Sequence, residues 1–202
     1  YIGDDAAGHY VKMVHNGIEY GIMQLMAETY SLLRKVYGIS APDISDIFKT
    51  FNKGKLNSFL FEIAIPVLSQ KDERNKKNSF LIYNILDKAS NKGTGKWASM
   101  DALERGVAIP SITQAVYARY ISTEKKVRVQ LNKQYPHKHP KKNMSQKACI
   151  TLLEDALYAS IISVFAQGFD LIEKAAKEEG WRINMAEISR TWEGGCIIRA
   201  KL

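Results

Sequence analysis

The spacing of apolar side chains is the feature that most constrains the fold of this chain. Near its start, apolar residues recur at steps of four, four, four and three, at Tyr10, Val14, Ile18, Ile22 and Leu25. This spacing places them on one face of an α-helix. It predicts a helix from about Gly8 to Tyr37 that is closed by Gly38. No alternating pattern typical of a half-buried strand occurs at any length, so the predicted fold is all-α.

Further helices are predicted along the rest of the 202 residues. They cover 42–53, 55–69, 80–88, 100–105, a longer stretch from Pro110 through Arg119, and 144–179 before Gly180. The segment 80–88 is short enough to be a strand, and its helical neighbours favour a helix. Residues 70–79, 91–96 and 135–140 are predicted as loops or turns because they are charged or rich in Gly and Pro.

Two parts of the sequence echo each other. Residues 47–54 match 188–195 at a constant offset of 141, and residues 20–30 match 158–169 with one extra residue. The match predicts an internal pseudo-repeat of one helical unit. Two similar helices that share a core pattern are the simpler alternative. If the unit is duplicated, the second copy is truncated at Leu202, and both ends of the chain look cut.

The positive charge is concentrated in one segment. The net charge is +8, and residues 124–147 carry eight basic residues and one acidic residue, which is +7 of that total. A helical module that binds nucleic acid or an acidic partner is therefore an alternative function. Tyr135 is the segment's one aromatic residue, so base stacking is poorly supported. A solvated loop is favoured, and no nucleic-acid partner is expected.

The cysteines and the hydropathy pattern exclude several classes of protein. Cys149 and Cys196 fit no zinc spacing and no disulfide framework, so we expect no metal and a reducing compartment, the cytoplasm. We find no window of about 18 apolar residues, which predicts no membrane span. No signal-peptide pattern occurs either.

The first helix has a polar face opposite its apolar one. On a helical wheel this face gathers Lys12, His15, Asn16, Glu19 and Tyr20. An ordinary solvated face is the plain alternative, but Asn and His are poor helix formers and the helix is too apolar for a surface. A lysine buried beside an amide and a carboxylate would have a lowered pKa and could act as a base. Gly8, Gly17 and Gly21 also interrupt this helix, which predicts close approach of a backbone or a ligand.

The residues of this helix carry a family resemblance. The stretch 8–21, Gly-His-Tyr-Val-Lys-Met-Val-His-Asn-Gly-Ile-Glu-Tyr-Gly, closely resembles the signature of the 6-phosphogluconate dehydrogenases. Its wider pattern, Gly-x-x-x-Lys-x-x-x-Asn, is shared by the β-hydroxyacid dehydrogenases. The stretches 87–97, 102–107, 115–119 and 192–199 also agree, so the resemblance covers essentially the whole chain. One departure is Ile22, where the family usually has Asp, and we expect it to affect packing more than catalysis.

The resemblance implies an activity and a set of residue roles. The family oxidises 6-phosphogluconate at C3 with NADP and decarboxylates the product to ribulose 5-phosphate. The implied base is Lys12, and the implied acid that protonates C1 of the enediol formed by decarboxylation is Glu19. The implied substrate-binding residues are His15 and Asn16 for the hydroxyls, and Tyr20, Lys92, Thr94 and Arg119 for the phosphate. We expect the last three to converge at the far end of the cleft from Lys12.

The resemblance also implies a domain organisation. Residues 1–202 correspond to part of a helical catalytic and dimerisation domain, with a Rossmann domain before it and a C-terminal tail after it. The main cofactor site lies in that Rossmann domain, so the residues do not reveal a preference for NADP or NAD. A homodimer is implied, and the chain alone is expected to be inactive.

Two other functions are suggested by the residues around Lys92 and are disfavoured. A related dehydrogenase acting on another hydroxy acid is disfavoured by the phosphate-type set of Lys92, Thr94 and Arg119. A nucleotide-binding motif at Gly93-x-Gly95 is disfavoured because no strand precedes it. A P-loop would need Gly at Ser90 and Ser or Thr at Trp97, and neither is present.

Overall fold

The structure is built from helices. The computed structural model describes residues 1–74, 80–136 and 142–201, and within them the chain forms eight α-helices, a short 3₁₀ helix and two isolated β-bridges, with no strand. The α-helices are α1 Ala7–Lys35, α2 Ala41–Phe51, α3 Phe59–Ser69, α4 Thr94–Glu104, α5 Pro110–Thr123, α6 Lys125–Gln134, α7 Gln146–Glu179 and α8 Met185–Trp192. The all-α prediction is confirmed.

The central helix is α1, which contacts α7, α4, α5 and α2. Its predicted apolar face is the one that enters the core, because Val14, Ile18 and Ile22 are buried there. Ile22 lies among apolar core side chains, in agreement with the expectation that it acts through packing. The second long helix, α7, packs against α1 through Val164 among others.

Glycines bring α1 close to its neighbours. A Cβ on Gly17 would lie 3.0 Å from the Ile112 side chain of α5, and a Cβ on Gly21 would lie 2.8 Å from Val164 of α7. The close approach predicted from these glycines is therefore to packed side chains of other helices. A Cβ on Gly8 would meet nothing within 4 Å, so the prediction is wrong for that position.

The predicted ends of the long helices are confirmed. Gly38 has φ +71° and its N–H donates to the carbonyl oxygen of Arg34, just beyond the end of α1. Gly180 has φ +70° and terminates α7. A left-handed backbone is favourable for glycine because it has no Cβ, and this is why glycine closes both helices.

Other boundaries differ from the predictions. α3 begins at Phe59 rather than residue 55, because the Ser58 side chain caps it by accepting a hydrogen bond from the Phe61 N–H. The segment 80–88 contains only the 3₁₀ helix Leu81–Asn84, so the helix predicted there is wrong. α4 begins at Thr94, within the turn predicted at 91–96, and includes residues 100–104 of the helical turn predicted at 100–105. The sequence analysis missed α6, whose ten residues are mostly polar or charged and of which none is buried. Parts of two predicted loops, 75–79 and 137–140, lie outside the described residues.

An ion-pair cluster joins the end of α4 to the end of α7. The guanidinium of Arg105, the residue that follows α4, donates to Asp101 of α4 at 2.8 Å, and to Glu178 and Glu179 of α7 at 2.6 and 2.8 Å. The Arg105 side chain is only 14% exposed, so these contacts are shielded from water more than ordinary surface pairs. The cluster holds α4 in place relative to the long helices.

The length and composition of α7 correct one expectation. This helix contains an 18-residue window that is long and apolar enough to cross a membrane by those two criteria. Our expectation that no such window exists was therefore wrong. Only 22% of the window is buried within this chain, although Ile161, Val164 and Leu171 of α7 belong to the core. The absence of a membrane span stays a prediction.

Several features support the internal repeat. α2 ends at Phe51 and α8 ends at Trp192, and these positions differ by the predicted offset of 141. The segments 57–59 and 199–201 are related by nearly the same offset and pair with each other. Phe59 N–H donates to Arg199 O, and Lys201 N–H donates to Asn57 O. Pairing of a segment with its own equivalent is expected near a two-fold axis. The repeat stays a prediction that superposition of 11–60 on 150–201 would test.

Candidate active site

Three polar side chains meet on one face of α1. Lys12 Nζ donates to Asn16 Oδ1 at 2.9 Å and lies 3.2 Å from His15 Nδ1. His15 Nδ1 lies 3.3 Å from Asn16 Oδ1. Residues three and four apart on a helix are neighbours on its surface, which is why this local sequence produces the cluster.

Lys12 is exposed, and this corrects the expectation that it is buried. The helices that pack on α1 cover its apolar face and leave the turn around Lys12 open. Lys12 borders a cleft of about 380 Å³ whose other lining residues are mostly apolar or aromatic. They are Ala6, His9, Tyr10, Met13, Thr94, Trp97 and Trp181. The amine therefore stands at the edge of a cavity large enough for part of a ligand.

His15 is buried, although the helical wheel placed it among the polar residues. It is 2% exposed, and its ring meets the Trp192 ring of α8 in a T-shaped contact at 5.5 Å between centroids. Burial, together with the positive charge of Lys12, lowers the pKa of His15 to about 4. The imidazole is therefore neutral at pH 7, and its Nε2 has no hydrogen-bond partner within the described residues.

Glu19 lies one turn further along the same face and is half-buried. Burial raises the pKa of its carboxyl group, and the positive charges of Lys12 and Arg119 oppose that rise. Because burial is the largest effect, Glu19 holds a proton at higher pH than an exposed glutamate does. The face thus combines an amine with a carboxyl group suited to donate a proton.

Arg119 of α5 lies over the ring of Tyr20. The guanidinium carbon is 3.7 Å from the ring centroid, and Nη1 donates to the carbonyl oxygen of Ser90 at 2.8 Å. Gly95 allows this arrangement, because a Cβ there would lie 3.0 Å from the Tyr20 ring. Gly95 therefore serves helix packing. No strand precedes α4 within the described residues.

Lys92 and Thr94 belong to the segment that leads into α4. Lys92 is exposed and lies two residues after Ser90, whose carbonyl accepts from Arg119. Thr94 lines the cleft beside Lys12. The structure therefore places Thr94 near Lys12, which differs from the expectation that Lys92, Thr94 and Arg119 all converge at the far end. The positive charges of Lys12 and Arg119 both lower the pKa of Glu19. The two side chains therefore lie on the same side of the domain.

Comparison with known proteins identifies the family. The family model described as 6-phosphogluconate dehydrogenase, C-terminal domain, matches residues 8–202. The chain belongs to the 6-phosphogluconate dehydrogenase family. Its Schizosaccharomyces pombe relative, named 6-phosphogluconate dehydrogenase, decarboxylating, is 50% identical over 99% of this chain. A Bacillus subtilis relative, named as the NADP(+)-dependent, decarboxylating enzyme, is 46% identical over 99% of it.

A solved structure agrees with the family assignment. Plasmodium falciparum 6-phosphogluconate dehydrogenase, described in its apo form and in complexes with NADP+ and with 6-phosphogluconate, superposes with a TM-score of 0.94. It is 40% identical and covers 99% of this chain. The chain spans 40% and 42% of the two relatives and 43% of that solved chain. It is thus similar to part of each of these three proteins.

The basic segment 124–147 is partly engaged within the domain. Lys125 and Arg128 both pair with Asp87, and Arg128 also donates to the carbonyl oxygen of Ser122 at 3.0 Å. These contacts tie α6 to the segment after the 3₁₀ helix. At least two of the basic residues therefore have a structural role, while 137–141 lie outside the described residues.

Sequence reasoning missed the aromatic residues around the polar face. Trp97 and Trp181 line the cleft beside Lys12, and Trp192 packs on His15. Trp97 and Trp192 both lie in stretches that carry the family resemblance, and this was the one signal that could have found them. No group of three or more His, Cys, Asp or Glu side chains within the described ranges could hold a metal ion.

Proposed function

We propose that this chain supplies the acid–base groups and the phosphate-binding groups of an NADP-dependent 6-phosphogluconate dehydrogenase. The reaction is oxidation of 6-phosphogluconate at C3 and decarboxylation to ribulose 5-phosphate and CO₂. The observation that carries the proposal is the single face of α1 that joins Lys12, Asn16, Glu19 and Tyr20 to Arg119. The names of the relatives and the substrate complex of the Plasmodium enzyme support the choice of substrate.

Lys12 acts as the base in the first step. NADP, when bound, accepts the hydride from C3. The amine of Lys12 takes the proton of the C3 hydroxyl, which becomes a carbonyl. The Oδ1 of Asn16, 2.9 Å from Nζ, holds the amine in position. In the second step the carbon–carbon bond to the carboxylate breaks and CO₂ leaves. Lys12 returns its proton to the C3 oxygen at the same time, so that an enediol forms.

Glu19 acts as the acid in the last step. The enediol left after loss of CO₂ must gain a proton at C1 to become the ketose. Burial raises the pKa of Glu19, so its carboxyl group retains a proton in the same site where Lys12 has to be basic. Such a sequence of steps requires one group that accepts a proton and another that retains one in the same site.

Arg119 binds the substrate phosphate together with Tyr20 and Lys92, whereas Thr94 lines the cleft beside Lys12. Its guanidinium is planar and carries five N–H donors, one of which Ser90 engages. The stack on Tyr20 fixes the plane of the guanidinium, so its remaining edge can bind phosphate oxygens in a bidentate fashion. Asn16 and His15 hold the substrate hydroxyls between this end and Lys12.

The cleft beside Lys12 fits one part of the cofactor. Its walls include the flat rings of Trp97, Trp181 and Tyr10, which suit a nicotinamide ring next to the reacting carbon. The adenosine and phosphate parts need a strand–loop–helix site, which the described residues do not contain. This supports NADP binding mainly outside the residues 1–202.

A second copy of the chain is the expected partner. Only 22% of the apolar window in α7 is buried within this chain, and Leu152 and Ile162 of that helix are exposed. On α4, Leu103 is 77% exposed. Apolar surface of this extent favours association, and a two-fold homodimer is the commonest symmetric solution. A cytoplasmic location remains a prediction.

Substrate discrimination tests the proposed function. The full-length protein is assayed for NADPH formation with 6-phosphogluconate, with gluconate, and with a short 3-hydroxy acid that lacks a phosphate. We expect turnover of 6-phosphogluconate with release of one CO₂ per NADPH, and a loss of kcat/KM of at least about 100-fold with gluconate, since the phosphate contacts are charge-assisted. Preferential turnover of an unphosphorylated acid would contradict the proposal.

A further inference from the structure

The ring of His15 is held between two halves of the chain. On one side, His15 Nδ1 lies within 3.3 Å of both Lys12 and Asn16 on its own helix. On the other, the imidazole meets the Trp192 indole of α8 at 5.5 Å with an interplanar angle of 70°. Such edge-to-face contacts between rings are favourable because the positive edge of one ring meets the negative face of the other.

Trp192 is itself fixed in place. It is 8% exposed, and its ring packs on Phe169 of α7 with centroids 5.3 Å apart. The indole also forms part of the wall of an apolar cavity of about 280 Å³ between α7 and α8. The indole therefore separates His15 from a space that water could enter.

The polar contacts of His15 alone do not determine its ring orientation. Only Nδ1 is within hydrogen-bonding distance of other groups, and Nε2 has no partner within the described residues. A ring with one anchored nitrogen can turn about its Cβ–Cγ bond unless packing prevents it. The packing that opposes such a turn includes the contact with Trp192.

We propose that Trp192 is a positioning residue, which holds the His15 imidazole against Lys12 and Asn16 and keeps it out of water. Through this contact a residue of the second half of the chain fixes the position of a side chain on the polar face of α1. The consequence for turnover rests on the function proposed above, whereas the contact between the rings does not.

Loss of the indole would change the charge beside Lys12. On α1, the positive charge of Lys12 lowers the pKa of His15. On α8, the residue in contact with the imidazole is the uncharged Trp192. Burial is the larger cause of the low pKa of His15. Hydration of the imidazole would therefore raise its pKa toward the ordinary value, and a second positive charge would appear beside Lys12 at mildly acid pH.

An NMR titration of histidine in the full-length protein tests the positioning role. The His15 signal is assigned with H15Q, and its pKa is compared among wild type, Trp192→Leu, Trp192→Phe and Trp181→Ala. Leucine keeps apolar volume and removes the ring, while phenylalanine keeps a ring. Trp181→Ala is the control for the titration, because that ring packs on Tyr10.

We expect His15 to titrate near pH 4 in wild type, Trp192→Phe and Trp181→Ala, and at least about one pH unit higher in Trp192→Leu. An unchanged titration in Trp192→Leu would overturn the proposal, as would an equal rise in Trp181→Ala. Thermal melts show whether Trp192→Leu is folded. If it is not, Trp192→Phe decides, since its titration must then match wild type while its ring keeps the edge contact.

Kinetics give a second readout. The KM for 6-phosphogluconate should rise by up to about fourfold in Trp192→Leu at pH 6 as the His15 pKa returns toward 6.5, and less at pH 8, where His15 is neutral in every variant. Trp192→Phe should restore the wild-type KM. A wild-type protein without 6-phosphogluconate turnover would refute the proposed function, and the titration would still decide the role of Trp192.

Discussion

The guanidinium of Arg119 stacks on the ring of Tyr20, with 3.7 Å between the guanidinium carbon and the ring centroid. Tyr20 belongs to α1 and Arg119 to α5, so the contact joins two helices at the end of the polar face. A cation above an aromatic ring is attracted to its negative face. The stack therefore orients a phosphate-binding group relative to the helix that carries Lys12 and Glu19.

Arg119→Ala should mainly weaken substrate binding. Removing a charge-assisted phosphate contact costs about 1.5–3 kcal/mol, which raises the KM for 6-phosphogluconate roughly 10- to 150-fold. Steady-state kinetics of the full-length protein measure the change. Arg119→Lys should recover only part of the loss, because lysine cannot bind in a bidentate manner. A fall in kcat at unchanged KM would contradict a binding role.

Lys12→Ala should abolish turnover and leave substrate binding largely intact. The alanine cannot take the C3 proton, and general-base contributions are typically about 10²- to 10⁴-fold in rate. Calorimetric titration with 6-phosphogluconate measures binding, and NADPH formation measures turnover. The matched control is Lys49→Ala, which removes an exposed lysine from α2. Retained turnover in Lys12→Ala would assign the base to another group.

Glu19→Gln should remove a pH dependence of stability. The pKa of Glu19 is raised by burial, so the folded state binds more protons than the unfolded state above pH 4.5. The contribution of this group therefore falls as pH rises through the window between the two pKa values. Thermal melts from pH 4 to 8 should show Glu19→Gln gaining stability relative to wild type as pH rises. A constant difference would refute the shift.

Gly168→Ala should destabilise the contact between the two long helices. A Cβ at Gly168 would lie 2.5 Å from Cδ1 of Ile18, which is too close without movement. Overpacking of this kind costs about 1–3 kcal/mol and lowers the melting temperature. Gly8→Ala is the control, since a Cβ there meets nothing within 4 Å, and it should stabilise α1 by up to about 1 kcal/mol. Equal melting temperatures for the two variants would contradict the packing argument.

The full-length protein should form a homodimer. The exposed apolar residues of α4 and α7 would otherwise remain in contact with water. Light scattering across a concentration series gives the mass directly. A monomer at every concentration would show that these surfaces are covered within a single chain.

Local sequence was sufficient for the parts of the structure that depend on helical periodicity. The positions of α1, α5 and α7, and the glycines that end α1 and α7, follow from spacing and from the φ that glycine tolerates. The cluster of Lys12, His15 and Asn16 follows for the same reason, because residues three and four apart meet on any helix. α6 is short and mostly polar, and none of its residues is buried, so this signal was missing there.

Burial and long-range contacts were decided only by the tertiary structure. The wheel assigned His15 to the polar face, but Trp192, distant in sequence, covers it and removes it from water. Lys12, expected to be buried, is exposed at the edge of the cleft that Trp97 and Trp181 line. The stack of Arg119 on Tyr20 likewise depends on how α5 crosses α1. Periodicity is a property of one helix, whereas the pKa of a side chain depends on which distant helix lies against it.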